Sequence, residues 1–289
     1  MSGKNFVTAR TKILCVIGHP IEHSMSPIMH NAAIQDLGLD YLYIAFDIPP
    51  NKLKEAIKGL KTLNIRGINV TLPYKEKVMK FIDKVDQTAQ KIGAINTIKN
   101  EDGLLIGRNT DAEGANKALF DAGCEITGKN VVLIGAGGAA KAILYSLASN
   151  TNKITIINRS EDRAKKLVNE LKNKMDINIE SKKYDEIILK EEISNADILI
   201  NATPIGMFPM IDITPVSKKI IHKDLFVFDL IYNPLETKLI KDSKEIGCQT
   251  LSGLDMLVNQ GALAFEWWTN KKPNLELMKL KIIEYLGMK

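Results

Sequence analysis

Polar side chains follow the ends of several short apolar runs in the first part of the chain. They offer hydroxyls, amides, one ammonium and one carboxylate, on Ser24, Ser26, Thr71, Asn69, Asn96, Lys75 and Asp111. Ligands of open α/β sheets bind beyond the carboxyl ends of the strands. We therefore expect these side chains to bind one small ligand, and their chemistry suits a polyhydroxy acid.

Lys75 is the candidate for proton transfer. Pro73 predicts the start of a helix, which places Lys75 in the first turn. The helix dipole disfavours a cation there, and a destabilised ammonium gives up its proton more readily near neutral pH. A lysine with a purely structural role gains nothing at that position. Lys77 and Lys80 are expected on the solvent-exposed face of the same helix.

Several of these candidates also have local roles that the sequence leaves open. Ser26 precedes a proline and suits the N-cap of a helix, a role that is compatible with ligand contact. Asp111 could equally cap the helix that follows it. Asn96 lies within an apolar strand, and backbone groups could satisfy its amide. Ser24 has no comparable local role in the predicted elements.

The pattern of histidines and cysteines does not indicate a metal site. His19 and His23 are four residues apart, but Pro20 interrupts the segment and argues against a helical metal pair. The cysteines lie far apart, without the paired spacing of a zinc or redox motif, and are predicted to be reduced and buried: Cys15, Cys124 and Cys248. We therefore expect no metal.

Residues 131–157 have the pattern of a dinucleotide-binding unit. A buried strand at 131–134 leads into a glycine-rich turn at 135–140, a helix follows, and a second apolar strand lies at 154–157. Glycines at such a turn allow the backbone to approach a pyrophosphate, which the helix N-terminus attracts. The order strand, turn, helix, strand makes the signal specific. We predict cofactor contacts from Gly135, Gly137, Gly138 and Ala139.

The end of the second strand indicates which dinucleotide is bound. In NAD-binding proteins this strand usually ends in an acidic residue that accepts hydrogen bonds from the ribose hydroxyls. Here the strand ends in Asn158, Arg159 and Ser160, and Arg163 follows one helical turn later. Because guanidinium groups bind phosphate in a forked geometry, the segment favours the extra phosphate of NADP. A solvated helix start is the alternative interpretation of the two arginines.

The composition is that of an ordinary globular protein. The chain has 289 residues, of which 45% are hydrophobic and 25% are charged, and a formal net charge of +5. This length suits about two domains. The lysines are scattered, so nucleic-acid binding is not indicated, although the positive charge can attract anionic ligands. We find no apolar leader and no long apolar run, and we expect a cytoplasmic protein that does not bind a membrane.

Short apolar runs alternate with helical patterns, which predicts an α/β protein with mainly parallel strands. Strands are expected at 13–17, 41–46, 68–71, 198–202 and 226–230, and a hairpin at 94–99 and 104–107. Helices are expected near 27–37, 51–63, 112–122 and from Leu254 to the end. We predict a substrate-binding domain over 1–111, a Rossmann-like NADP-binding domain over 112–253, and C-terminal helices over 254–289 that return to the substrate domain.

Nine segments resemble the shikimate dehydrogenase family, and they occur in the family's order along nearly the whole chain. They are Gly18–Pro27, Asn69–Lys75, Gly93–Thr97, Asn109–Asp111, Gly135–Ala140, Asn158–Ser160, Asn201–Met207, Asp229–Pro234 and Gly253–Gln260. Ala112 is a departure, because the family often has glycine after Asn-Thr-Asp.

The resemblance implies metal-independent, NADPH-dependent reduction of 3-dehydroshikimate to shikimate, a step toward the aromatic amino acids. It implies that Lys75 and Asp111 form the catalytic pair, and leaves open which of them is the formal acid–base group. By motif position, it implies substrate contacts from Ser24, Ser26, Asn69, Thr71, Asn96, Tyr232 and Gln260. It adds Thr203, Met207, Gly253 and Met256 to the residues near the cofactor.

Other functions remain open from the sequence. A broader quinate/shikimate dehydrogenase that also uses NAD would have to place the extra hydroxyl of quinate beside Ser24 and Thr71. A non-catalytic NADP-binding sensor would not need Lys75 together with Asp111. A dehydrogenase of similar architecture for a folate or an amino acid is disfavoured, because the two serines and Gln260 suit a small polyol. The sequence leaves open a monomer or a homodimer.

Overall fold

The computed structural model describes residues 7–148 and 150–288. In chain order, its strands are β1 (Lys12–Gly18), β2 (Tyr41–Asp47), β3 (Gly67–Val70), β4 (Lys84–Val85), β5 (Thr97–Glu101), β6 (Leu104–Arg108), β7 (Asn130–Ile134), β8 (Lys153–Asn158), β9 (Ile179–Lys183), β10 (Ile198–Asn201), β11 (Phe226–Asp229) and β12 (Gln249–Ser252). Its α-helices are α1 (Ser26–Asp36), α2 (Leu53–Thr62), α3 (Gln87–Ile92), α4 (Asp111–Asp121), α5 (Gly138–Leu147), α6 (Glu161–Lys172), α7 (Glu186–Ser194), α8 (Lys238–Ile246), α9 (Gly253–Thr269) and α10 (Leu275–Gly287).

The chain divides into two compact units. Of the described residues, unit 1 contains those up to Thr110 together with those from Val258 onward, and unit 2 contains those from Asp111 to Leu257. Each unit has one six-stranded sheet with helices packed on it. The predicted α/β fold class is therefore confirmed.

The sheet of unit 1 is mixed. Its strand order is β2-β1-β3-β5-β6-β4, in which β1 pairs in parallel with β2 and β3, while β5 is antiparallel to both β3 and β6. The predicted hairpin joins β5 to β6, and its turn residues Asp102 and Gly103 have φ angles of 51° and 93°. Two positive φ angles match the right-handed twist of the flanking strands. The strand predicted to start at residue 94 begins only at Thr97.

A close approach between α9 and the sheet shapes the core of unit 1. The ring of Trp268 lies so near the backbone of β3 that a Cβ on Gly67 would be 2.4 Å from a ring carbon. The indole Nε1 donates to the carbonyl oxygen of Ile98 at 3.0 Å. Only glycine at residue 67 leaves room for the indole ring. Because Trp268 belongs to the segment after Val258, that segment completes the packing of the unit 1 sheet.

The sheet of unit 2 is entirely parallel. Its strand order is β12-β11-β10-β7-β8-β9, and every pairing is parallel. Hydrophobic clusters cover the two sides of β7, with Leu133 packed among one set of side chains and Val132 among the other. The strand order changes direction between β7 and β10, which is where open α/β sheets bind ligands.

Three local predictions are wrong. Lys75 does not lie in a first helical turn, because the nearest helix after Pro73 is a 3₁₀ helix over Lys77–Phe81. Ser26 does not cap α1; it is the first helical residue, and Met25 occupies the cap position without a side-chain hydrogen bond. Cys124 is only half-buried, although Cys15 and Cys248 are buried and all three thiols are free.

Among the helices of residues 7–148 and 150–288, none has both the length and the apolar composition that a membrane crossing requires.

Candidate functional site

The first group of predicted residues lies where the strand order of unit 1 changes direction, between β1 and β3. Gly18 ends β1, and a Cβ there would lie 2.6 Å from Cγ2 of Thr71 and 3.0 Å from the carbonyl oxygen of Leu72. The Thr71 N–H donates to the carbonyl oxygen of Ile17 at 2.9 Å, and the His19 N–H donates to that of Leu72 at 2.9 Å. The glycine therefore lets the chain after β3 press against the end of β1, which fixes Thr71 at the carboxyl edge of the sheet.

A backbone group sets the orientation of two predicted amides. The Thr110 N–H donates to Oδ1 of Asn96 at 2.8 Å, so this atom must be the oxygen of the amide. The Asn96 Nδ2 consequently points the other way and donates to Oε1 of Gln260 at 3.2 Å and to Thr110 Oγ1 at 2.9 Å. Because the Oε1 of Gln260 accepts from Asn96, the orientation of its amide is fixed, with Nε2 on the side away from Asn96.

Asn69 joins the same buried network. Its Nδ2 donates to the carbonyl oxygen of Asn96 and to Oγ1 of Thr97, both at 3.2 Å. Its Oδ1 accepts a hydrogen bond of 2.7 Å from the hydroxyl of Tyr43, which is itself buried in β2. The structure thus brings Asn69, Asn96 and Gln260 together. Sequence reasoning missed Tyr43, because it is an ordinary strand residue by pattern, and it assigned Thr97 no role of its own.

An aromatic stack packs against Tyr43, the residue that donates to Asn69 in this network. His30 lies on α1 with its ring 4.3 Å from that of Tyr43 and nearly parallel to it, and the rings of Phe265 and Trp268 also pack against it. Neither nitrogen of the buried His30 ring reaches a hydrogen-bond partner in the described structure. Burial lowers the pKa of His30 to about 3, so its imidazole is neutral at physiological pH.

The two predicted serines lie beside each other at the start of α1. Ser26 is buried, and its N–H donates to Oγ of Ser24 at 3.3 Å. The expectation that Ser24 has no local role is therefore wrong, because its hydroxyl supports the first residue of the helix. The hydroxyl still has capacity for a ligand, because it can donate one hydrogen bond and accept two.

Lys75 is held in a turn by its neighbours rather than by a helix. Tyr74, next to it, is fully buried, and its hydroxyl donates to the carbonyl oxygen of Ile48. The carbonyl oxygen of Lys75 accepts a hydrogen bond of 2.7 Å from the N–H of Ile95, the residue before Asn96. The backbone at Lys75 is thus fixed against the segment that carries the amide network, and its side chain is half-buried.

Asp111 and Tyr232 belong to unit 2 rather than unit 1. Asp111 is the first residue of α4 and is buried. A carboxylate in the first turn of a helix interacts favourably with the helix dipole. Tyr232 is half-buried in the segment between β11 and α8.

The glycine turn of unit 2 connects β7 to α5. Gly135 has a φ of 113°, and a Cβ there would lie 2.9 Å from the carbonyl oxygen of Ala202 and 3.1 Å from Cγ2 of Thr203. Gly137, by contrast, has open space within 4 Å of the position of a Cβ. The ten-residue helix α5 begins at the next residue, Gly138, and Ala139 is half-buried within its first turn. Gly135 therefore serves the fold, while Gly137 leaves the helix N-terminus accessible to an anion.

The end of β8 presents the residues predicted to bind the phosphate of NADP. Asn158 donates from Nδ2 to the carbonyl oxygen of Ser160 at 2.9 Å, and Ser160 caps α6 by accepting from the Arg163 N–H at 3.4 Å. Arg159 and Arg163 are both exposed. Glu161, in the first turn of α6, is paired with Lys165 at 2.7 Å. Both arginines therefore lie at the solvent-exposed start of α6.

The remaining predicted cofactor residues differ in their surroundings. Thr203 donates from its hydroxyl to Oδ1 of Asn201 at 2.7 Å and accepts from the Ile205 N–H at 3.2 Å, so the hydroxyl is used within the loop. Met207 is exposed. Gly253 begins α9 where a Cβ would lie only 2.0 Å from the carbonyl oxygen of Leu230. Met256 is buried in the core of unit 2.

Sequence reasoning assigned no role to a buried polar pair at the ends of β10 and β11. Asn201 and Asp229 are both fully buried and are opposite each other in the register of these strands. Burial raises the pKa of Asp229 to about 6, although three hydrogen-bond donors favour its charged form. A polar residue directly after a buried apolar run was the available signal. In the described part of the chain, no group of three or more His, Cys, Asp or Glu is placed to hold a metal ion.

Family models match three parts of the chain. Residues 16–98 match the shikimate dehydrogenase substrate binding domain, residues 115–237 match the shikimate / quinate 5-dehydrogenase model, and residues 253–279 match the shikimate 5'-dehydrogenase C-terminal domain. A curated relative, the shikimate dehydrogenase (NADP(+)) of Methanocaldococcus jannaschii, is 49% identical over 96% of this chain and 98% of its own. The chain belongs to the shikimate dehydrogenase family.

Solved structures of shikimate dehydrogenases have the same fold. One, in complex with NADP+, has a TM-score of 0.88 and 46% identity, covering 97% of this chain and 98% of its own. Another, the shikimate 5-dehydrogenase of Listeria monocytogenes in complex with shikimate and NAD, has a TM-score of 0.87 and 40% identity, covering 96% of this chain and 98% of its own. The expected membership of the shikimate dehydrogenase family is confirmed.

Proposed function

We propose that this protein is an NADP-dependent shikimate dehydrogenase that interconverts 3-dehydroshikimate and shikimate. The observation that carries the proposal is the oriented amide network of Asn69, Asn96 and Gln260 beside Thr71, in a chain 49% identical to a relative named for this activity. Oriented amides and hydroxyls suit a ring with several hydroxyl groups, because each hydroxyl needs a defined donor or acceptor.

The substrate contacts follow from the chemistry of each group. Gln260 and Asn69 offer amides in fixed orientations, and Ser24, Ser26 and Thr71 offer hydroxyls that can donate to the carboxylate or to a ring hydroxyl of shikimate. Tyr232, in unit 2, is proposed to contact the substrate through its phenol. Groups that require hydrogen-bond partners discriminate strongly against analogues that lack them, because the protein groups are then left unpaired.

Lys75 and Asp111 are proposed as the catalytic pair. The bound NADPH would supply the hydride. The ammonium of Lys75 would donate a proton to the carbonyl oxygen of 3-dehydroshikimate as that oxygen becomes an alkoxide, and Asp111 would orient the ammonium and the neighbouring hydroxyl. The rigid backbone around Lys75, anchored by Tyr74 and Ile95, would hold its side chain near the productive geometry.

The residues of unit 2 fit NADP. The N-terminus of α5, reached past the open side of Gly137, would bind the pyrophosphate, and Gly135, Gly138 and Ala139 complete the turn. Asn158, Arg159, Ser160 and Arg163 would bind the 2′-phosphate of the adenosine ribose. Thr203, Met207, Gly253 and Met256 are proposed to lie around the nicotinamide. Because the Thr203 hydroxyl is used within its loop, Thr203 would contact the cofactor through backbone or methyl groups.

A steady-state assay tests the proposal. Purified protein is given shikimate or quinate, each with NADP or NAD, and reduced cofactor is followed by its absorbance. Shikimate with NADP is expected to give the highest kcat/KM of the four combinations. Absence of turnover with shikimate and NADP would contradict the proposed function, and comparable rates with quinate and NAD would establish the broader activity instead.

Three further predictions accompany this function. The domain boundaries after residues 111 and 253, a cytoplasmic location, and a monomeric or homodimeric state stay predictions. Light scattering of the purified protein and fractionation of cells that express it would test the last two.

A further inference from the structure

We propose that Asp229 is a positioning residue for the cofactor site, because its buried carboxylate joins the two loops that follow β10 and β11. The inference rests on the proposed function, since it assigns to Asp229 the arrangement of the loops that carry Thr203 and Tyr232. Asp229 itself is fully buried and would not contact substrate or cofactor.

Three donors from different parts of unit 2 converge on this carboxylate. Oδ1 accepts from Asn201 Nδ2 at 3.0 Å and from the Ile231 N–H at 3.2 Å, and Oδ2 accepts from Thr237 Oγ1 at 2.6 Å. Thr237 also caps α8, because its Oγ1 accepts from the N–H of Ile240 at 3.3 Å. The carboxylate therefore fixes both ends of the segment 230–237.

The loop after β10 is attached through Asn201. Its Oδ1 accepts from the N–H of Thr203 at 3.1 Å and from the Thr203 hydroxyl at 2.7 Å. Since a backbone N–H can only donate, this hydrogen bond identifies the amide oxygen and leaves Nδ2 facing Asp229 and the carbonyl oxygen of Ile205. Residue 229 must therefore accept a hydrogen bond from Asn201.

The need for an acceptor explains why a carboxylate occupies a position that burial penalises. A neutral amide at residue 229 would turn its NH₂ group toward Thr237 or toward one of the other donors. Apolar residues of similar size in place of Asn201 and Asp229 would stabilise the folded protein at least as well. They would, however, leave the loops after β10 and β11 without these hydrogen bonds. The burial of Asp229 thus serves the geometry of the loops more than the stability of the sheet.

The two loops lie at the point of unit 2 where a dinucleotide is expected. Thr203 packs against the glycine turn, since its Cγ2 would lie 3.1 Å from a Cβ on Gly135. The chain from Asp229 to Thr203 therefore passes through one intermediate residue, Asn201, and ends beside the turn proposed to bind the pyrophosphate. A shift of Asn201 would move Thr203 relative to that turn.

The test measures NADP binding by isothermal titration calorimetry, without shikimate, together with the melting temperature. In Asp229→Asn we expect the Kd for NADP to rise about tenfold, because the loss of one hydrogen bond changes an equilibrium constant by about that factor. In Asp229→Ala, which removes all acceptors, we expect a larger rise. The melting temperature shows whether each variant is folded under the conditions of the titration.

Asp197→Asn is the matched control. Asp197 lies at the opposite end of β10, where it accepts from the Asn130 N–H at 2.8 Å and from Lys129 Nζ at 3.1 Å. Asp197 connects β10 to β7 at the end of these strands that lies away from the glycine turn. Asp197→Asn is expected to lower the melting temperature while leaving the Kd for NADP unchanged.

An unchanged Kd for NADP in folded Asp229→Asn would overturn the positioning role, even if its melting temperature fell. If that variant does not fold, Asn201→Ala keeps the carboxylate and breaks its link to Thr203. An unchanged Kd for NADP in folded Asn201→Ala would overturn the role equally. Wild-type protein that fails to bind NADP would instead contradict the proposed function, so the two failures are distinguishable.

Discussion

Lys75 does not lie in a helix, so no helix dipole destabilises its ammonium. Its proposed role therefore depends on the ammonium group itself and on the turn that holds it. Replacing it with alanine removes the proton donor and leaves the turn in place, because Tyr74 and Ile95 anchor the backbone on either side. We expect Lys75→Ala to lower kcat by about 10²- to 10⁴-fold, the usual contribution of general acid–base catalysis. The KM for shikimate should change far less.

Lys77→Ala is the control for Lys75, because Lys77 is exposed at the start of the 3₁₀ helix two residues later. Its kinetic constants should match those of the wild type. Equal losses in kcat/KM and in substrate affinity for Lys75→Ala, with kcat preserved, would remove the assignment of Lys75 to proton transfer.

Arg159 is expected to determine the preference for NADP over NAD. In Arg159→Ala the forked contact with the 2′-phosphate is lost, and the KM for NADP should rise roughly tenfold or more, while the KM for NAD should stay near its wild-type value. Lys166→Ala, an exposed cation on α6, controls for the general loss of positive charge. A parallel rise in both KM values would show that Arg159 does not recognise the phosphate.

His30 should make the protein sensitive to mild acid. Its pKa in the folded protein is about 3, below the value of about 6.5 in an unfolded chain. The unfolded state therefore binds more protons than the folded state between these values, and stability falls as the pH is lowered through 6.5. Between pH 7 and pH 4.5 the loss from this one group amounts to about 3 kcal/mol.

His30→Phe keeps an aromatic ring on Tyr43 and removes the titration. Whatever its stability at neutral pH, the variant should lose about 3 kcal/mol less than the wild type between pH 7 and pH 4.5 in urea unfolding. Because the other histidines, all more exposed, are present in both proteins, their titration cancels in the comparison. Identical pH dependence in the two proteins would show that burial does not lower the pKa of His30.

At the scale of elements, the two glycines of the β7–α5 turn have different roles. Gly135 is required by the packing of the turn, whereas Gly137 is proposed to leave space for the ligand. Gly137 has φ −97° and ψ −173°, which alanine adopts readily, and open space where a Cβ would lie. Gly137→Ala should therefore fold with a normal melting temperature. Its methyl group would occupy the place where a pyrophosphate approaches the helix, and the Kd for NADP should rise about tenfold or more.

Gly59→Ala is the control for Gly137, since Gly59 lies within α2 of unit 1 with open space around it. It should gain about 0.5–1 kcal/mol of stability from helix propensity and leave NADP binding unchanged. Normal NADP affinity in Gly137→Ala would contradict the assignment of this turn to the pyrophosphate.

The elements that could be predicted from the sequence have strong local signals. The buried strands of unit 2, the glycine turn and the β5–β6 hairpin are specified by residues close together in the chain. The segment at Lys75 could not be predicted in this way. Pro73 has the local signature of a helix start, but the burial of Tyr74 turns the chain inward and delays the helix to Lys77.

The hydrogen-bond networks could be predicted only in part. Asn69 and Asn96 are recognisable as polar residues within apolar runs, whereas the role of Tyr43 depends on β2 lying two strands away from β3 in the sheet. The pairing of Asn201 with Asp229 likewise depends on the register of two strands 28 residues apart in the chain. Such contacts are products of tertiary structure, and no short motif specifies them.

For the whole molecule, the division of the chain predicts that its two units differ in their ability to fold alone. The hydrophobic clusters of unit 2 are formed entirely by residues between 111 and 257, which are continuous in the chain. Unit 1 is discontinuous, because Phe265 and Trp268 of its C-terminal segment pack on His30 and Trp268 fills the space over Gly67. Without that segment, a fragment of residues 7–110 would expose this apolar face to water.

We therefore expect a fragment of residues 111–257 to melt cooperatively and to bind NADP, while residues 7–110 alone should aggregate or remain unfolded. Addition of a peptide of residues 258–288 should restore cooperative melting to the 7–110 fragment, because it supplies Trp268 and the buried side chains of α10. A 258–288 peptide with Trp268→Ala is the matched control, since it lacks the ring that fills the space over β3. Cooperative folding of residues 7–110 without any peptide would show that the C-terminal segment is not needed to form unit 1.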